Sequence, residues 1–252
     1  MEPADSGLVT SAPSAGRAAA HGVPNGGRTP KSTQALGAAL ADIDTVFNGF
    51  ACPSETGCER CFAPEETAYL RTPCTRLPPD LLNRFVRKVP DHFEDHATVM
   101  RRLLPQCAHA MADGTLDDVG WAPHGMGRAD WRSWPAEQAS AVEAFVLAWW
   151  QDVLASPAPP YSAERVFETC ASILRTTTPL LDRWGPGPSA DAHLVGCARS
   201  WQYDLVNDDW PFTWWSRRTG PPVSPNSGPG SPGTPRSGCG PRARRIWRSV
   251  PG

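Results

Sequence analysis

The sequence predicts an all-α fold, a single multi-helix globular domain over residues 32–216, flanked by a disordered lead at 1–31 and a disordered tail at 217–252. Three observations carry this reading. Within 32–216 apolar residues recur at three- and four-residue intervals, which gathers them on one face of a helix. No stretch alternates apolar and polar side chains convincingly enough for a half-buried strand. Prolines stand at the start of several periodic runs, where the missing N–H is harmless and the fixed φ suits a first helical turn.

The first helix follows from Leu36, Leu40, Ile43, Val46, Phe47 and Phe50, which form one stripe. After a cysteine-containing loop, Pro64, Glu65 and Glu66 open a short helix by proline placement and by acidic charge at the positive end of the dipole; it ends near Thr72 and Pro73. Pro78, Pro79 and Asp80 open a third helix, with Leu81, Leu82, Phe85, Val86 and Val89 on its buried face until Pro90 stops it. A fourth unit carries His92, His96, Val99, Met100, Leu103 and Leu104 before Pro105, resumes through Met111 and closes at Gly114. The clearest helix spans 134–155: Val142, Phe145, Val146, Trp149 and Val153 line one face, and Trp150 with Leu154 widens it. The proline-rich turn after it leads to two further helices, over 162–184 and 190–206.

The flanks differ in composition. Residues 1–31 mix Ala, Gly, Pro and Ser without apolar period, and 217–252 hold eight Pro, seven Gly and seven Arg without one acidic residue. Neither can bury enough apolar surface to offset the entropy of ordering. The overall charge of −2 conceals +1 in the lead and +7 in the tail, so residues 32–216 carry −10. An acidic domain is a poor binder of phosphate backbones, which excludes nucleic acid as its expected partner and leaves protein. The longest strongly apolar run is only residues 144–150, so no membrane association is expected and the chain is read as cytoplasmic. In that reducing compartment the eight cysteines are expected as thiols or metal ligands rather than disulfides. Ten of the eleven tryptophans fall between Trp121 and Trp215, and they are expected to pack the core.

Two constellations could carry chemistry. Cys52, Cys58, Cys61 and Cys74 place four soft donors within 23 residues, a set that zinc would accept. Alternatively Cys58 and Cys61 combine with His92 and His96, whose four-residue spacing puts both imidazoles on one helical face. A redox role for the CxxC pair lacks the strand-to-helix setting that lowers a thiol pKa. The run from His92 to His96 has Phe93 where the zinc-peptidase pattern needs glutamate. The glycine-rich run at 22–29 has Arg28 in place of the phosphate-loop lysine and follows no strand.

Two stretches, GCERCFAPEE followed by LPPDLLNRF, and RADWRSWPAEQASAVEAFVLAWW, resemble a family of actinobacterial proteins with a CxxC-PEE loop and a WPAEQ helix ending in AWW. The resemblance covers about residues 40–215. It implies a helical domain, matches Cys58 and Cys61 to the family loop but not Cys52 or Cys74, and implies no particular reaction. The tail beyond Ser216 departs from the family pattern, as a shifted reading frame through GC-rich sequence would.

The expected function is a non-catalytic helical interaction or regulatory domain with a small structural zinc site at Cys58, Cys61, His92 and His96. The alternative is a metal-dependent enzyme on the same Cys/His site, with Asp91, Glu94 or Asp95 as general base.

Overall fold

The computed structural model describes residues 32–117, 119–120 and 125–207. They are helical, and no strand occurs among them. The expected disorder of 1–31 and 217–252 and the glycine-rich run at 22–29 lie outside the described residues. In chain order the helices are α1 (Gln34–Val46), α2 (Pro64–Arg71), α3 (Pro79–Arg87), α4 (His96–Ala112), α5 (Gly125–Arg128), α6 (Ala136–Ala155), α7 (Ala163–Leu174), α8 (Thr178–Asp182), α9 (Pro188–Ser200) and α10 (Gln202–Val206). Short 3₁₀ turns at Pro90–His92 and Trp131–Ser133 precede α4 and α6. No helix among the described residues is long and apolar enough to cross a membrane.

Helix α6 is the centre. From Ala141 to Leu154 it buries residues on nearly every side, including Phe145, Val146, Leu147, Trp149 and Trp150, the pattern of a helix surrounded by others. Helices α1, α7, α8 and α9 pack on it, and α4 packs on α1, α2 and α3 to carry the core toward the cysteine loop. The N-terminus of α1 is tied to α6 by Thr33, whose N–H donates to Asp152 Oδ1 at 2.6 Å while its Oγ1 accepts from Leu36 N at 3.3 Å. That hydroxyl satisfies one of the free N–H groups of the first turn.

The described tryptophans serve as core, as their composition suggests. Trp150 is wholly buried, donates from Nε1 to Leu180 O at 3.0 Å, and meets Phe167 and Trp184 edge-on at 5.5 and 5.2 Å. Trp131 donates to Ile173 O at 2.8 Å. Each indole thus buries a large apolar face while its single donor finds a carbonyl.

Several boundaries differ from the sequence reading. Helix α3 ends at Arg87, and Val89, expected on its buried face, is exposed. Helix α1 ends at Val46, so Phe50 leaves the stripe and instead packs on Phe47 at 6.0 Å. Pro105 does not break α4. Val99, Met100, Leu103, Leu104, Cys107, Ala108 and Met111 are buried on both sides of it, and that burial outweighs the roughly 3 kcal/mol of an interior proline. The run at 162–184 divides because Arg175 adopts a left-handed conformation, with φ 50°, at the end of α7. The run at 190–206 divides at Trp201, whose buried ring packs on Phe167 at 5.3 Å.

Candidate metal centre

The centre is built from the loop before α2 and the turn between α3 and α4. Gly57 has φ +67°, and a Cβ there would lie 2.9 Å from Thr67 Cγ2, so both conformation and space require glycine. From Cys58 the chain turns tightly: Cys61 N and Phe62 N both donate to Cys58 O, at 2.8 and 3.0 Å. This turn brings Cys58 and Cys61 to the same side, and His92, ending the 3₁₀ turn, faces them. Donor atoms of Cys58, Cys61 and His92 lie within 4.8 Å of one another, all three half-buried. Cys61 Sγ and His92 Nδ1 are 3.4 Å apart.

Phe62 and Glu55 hold the two segments together. The Phe62 ring is buried against Phe85 at 4.5 Å and Phe93 at 6.0 Å, which joins the loop to α3 and to the strip before α4. Glu55 is 2 % exposed. Its Oε1 accepts from Gly57 N at 2.8 Å and Glu94 N at 3.1 Å, and its Oε2 accepts from Asp95 N at 3.3 Å. One buried carboxylate therefore bonds the backbone on both sides of the centre. Arg71 Nη1 donates to Glu55 O at 2.8 Å, which fixes the residue from the α2 side.

Cations surround the thiols. Lys88 Nζ lies 3.4 Å from Cys61 Sγ and 5.8 Å from the Phe62 ring centre. Arg84 donates to Cys61 O at 2.6 Å and forms an ion pair with Glu66, which in turn accepts from Ala63 N at 2.9 Å at the start of α2. The Cys58 thiol is held below its ordinary pKa, first by the backbone N–H of Arg60, then by hydrogen bonds from Cys61, with the Arg60 charge adding to them. Lowering a thiol pKa favours the thiolate, the form that binds a metal.

The other sequence candidates do not join the trio. His96 begins α4 whereas His92 belongs to the separate 3₁₀ turn, so the two imidazoles do not share a helical face as their spacing suggested. Phe93, Glu94 and Asp95 between them are drawn out of helix by the aromatic cluster and by the bonds to Glu55. The His96 ring is buried beside Phe93, 5.9 Å between centres, and burial, followed by the nearby Arg128 charge, lowers its pKa. Cys52 is buried, its thiol pushed up to about 12 by burial and then by Glu55. Cys74 is exposed at φ 57°, 3.7 Å from Asn48 Oδ1. It lines a separate cleft of about 540 Å³ that also contains the pair of Asp44 and His109, 2.9 Å apart. Of the general-base candidates, Asp95 caps α4 by accepting from Thr98 N and Oγ1 at 3.0 and 2.6 Å, and these bonds lower its pKa. Glu94 Oε1 accepts from Thr56 Oγ1 at 3.5 Å, and Asp91 is exposed.

Sequence reasoning missed Glu55, Lys88 and Phe62. The signals were slight: a glutamate two residues before a glycine, and one of only two lysines beside 22 arginines. None of the seven described cysteines forms a disulfide. Comparison with family models, with curated proteins and with solved structures finds no match for the chain.

Proposed function

We propose that the chain is a non-catalytic helical interaction domain with a zinc centre at Cys58, Cys61 and His92, the ion clamping the CxxC loop onto the junction of α3 and α4. The observation that carries this reading is the convergence of two thiols and an imidazole, 31 residues apart between Cys61 and His92, within 4.8 Å. Two sulfurs and one nitrogen match the donor preference of zinc. The backbone N–H groups that favour a Cys58 thiolate support it further. The non-catalytic part of the reading is supported by Asp95, which is committed to capping α4 and is thereby a weaker base.

Hydrogen exchange of the full chain with zinc and after chelation tests the reading. Amides of 53–63 and 88–95 are expected to be slowed by zinc and released by the chelator, with α6 and α7 unaffected. Identical exchange in both states, or a change spread evenly over the domain, would sink it.

A further inference from the structure

Zinc takes four donors, and among the described residues no fourth His, Cys, Asp or Glu atom joins Cys58, Cys61 and His92. All three ligands are half-exposed, so an ion held by them sits at the surface with one side turned outward. That outward side is open to a small ligand. The feature that selects that ligand is Lys88. Its ammonium, 3.4 Å from Cys61 Sγ and steadied over the Phe62 ring, stands next to the metal position. A zinc ion with two thiolates and a neutral imidazole has no net charge, so the ion itself offers the Lys88 ammonium no counter-charge. An ammonium has only donors to offer, and a carboxylate is acceptor-only with two oxygens.

We propose that the fourth position of the centre takes an exogenous carboxylate, one oxygen on the ion and the other accepting from the Lys88 ammonium. The inference rests on the zinc reading above. A carboxylate offers one oxygen to the ion and a second to the ammonium, whereas a single-atom anion such as chloride must serve both from one atom. Arg84 does not compete, because its guanidinium is engaged by Glu66 and by Cys61 O. The carboxylate could arrive as a free small acid or at the end of a peptide, and the two sources share this chemistry.

Cobalt(II) loaded into the full chain makes both claims visible. A sulfur-to-cobalt charge-transfer band, lost in Cys58→Ser/Cys61→Ser, reports the metal centre; its absence in the native chain would overturn the zinc reading and this inference with it. With that band present, acetate is expected to change the visible d–d bands in a saturable way, at lower concentration than chloride does at equal ionic strength. Lys88→Met should keep the charge-transfer band, which also shows that it folds, and weaken acetate by about ten-fold, the loss of one charge-assisted hydrogen bond. Lys88→Arg should retain most of the affinity. N-acetyl-Gly-Gly tested beside its C-terminal amide separates the sources: tighter binding than acetate, lost in the amide, assigns a peptide carboxylate. A d–d spectrum indifferent to every carboxylate, or equal acetate affinity in native protein and Lys88→Met, overturns the inference and leaves the zinc reading standing.

Discussion

Glu55 bonds no ligand of the centre, yet its carboxylate joins the two segments that supply them. Replacing it with alanine removes three hydrogen bonds, to Gly57 N, Glu94 N and Asp95 N. A bond to a charged acceptor contributes about 1.5–3 kcal/mol, but Glu94 and Asp95 are exposed and their amides recover water. The net loss should therefore be about 3 kcal/mol rather than the full sum. For a domain of this size each kcal/mol moves Tm by roughly 2–4 °C, so Glu55→Ala should melt about 6–12 °C lower. Glu55→Gln keeps the oxygen that serves Gly57 and Glu94 but turns its amide toward Asp95 N, a loss of about 1–2 kcal/mol. Thermal unfolding followed by circular dichroism, together with zinc affinity by competition with a chelating dye, measures both consequences. The alanine variant should bind zinc more weakly and the glutamine variant should fall between it and the native chain. Unchanged melting in Glu55→Ala, or a lowered Tm with native zinc affinity, would refute the reasoning.

Other expected outcomes concern the core and its titrating groups. Trp150→Ala should cost about 3–5 kcal/mol in urea unfolding, because it empties a wholly buried site and leaves Leu180 O without its indole donor; a loss under about 1 kcal/mol would contradict that packing. Burial pushes the Glu168 carboxyl up to about 6 from 4.5, with a hydrogen bond from Trp201 opposing the shift. The folded chain therefore holds this proton more tightly than the unfolded one, and stability falls as pH rises between those values. Glu168→Gln should raise Tm relative to native at pH 7 and have little effect at pH 4; an equal gain at both would disprove the assignment. His96 has the opposite sign, since its folded pKa lies below 6.5 and the unfolded chain takes up the proton first as pH falls. His96→Leu, which also removes a buried Nε2 without a partner, should gain more Tm over native at pH 5 than at pH 8, and the reverse trend would exclude this role.

The fold was legible where helix starts carry their own chemistry. Pro64 with Glu65 and Glu66, Pro79 with Asp80, and the amphipathic runs behind them mark α2 and α3 within a residue or two. It was not legible where tertiary packing overrode a local signal, as at Pro105, or where one residue adopted a left-handed conformation, as at Arg175, whose guanidinium reaches the distant Gly127 and Ala129 carbonyls. At the centre, the short-range pair Cys58 and Cys61 and the distant His92 could be named from donor type. His96 could not be set aside, because four-residue spacing suggests a shared face only if the chain between is helical. That condition fails through long-range contacts of Phe93, Glu94 and Asp95 with Phe62 and Glu55. Phe62 and Cys52 are both buried core residues, so the core also holds the loop.

The most direct test of the central claim is the metal content of the full chain purified under reducing conditions, with zinc measured by atomic emission for native protein and three variants. About one zinc per chain is expected in native protein and in His96→Leu, little or none in Cys58→Ser/Cys61→Ser, and weakened retention in His92→Ala. Metal-free native protein that does not take up added zinc, or zinc that persists in the double cysteine variant, would contradict it.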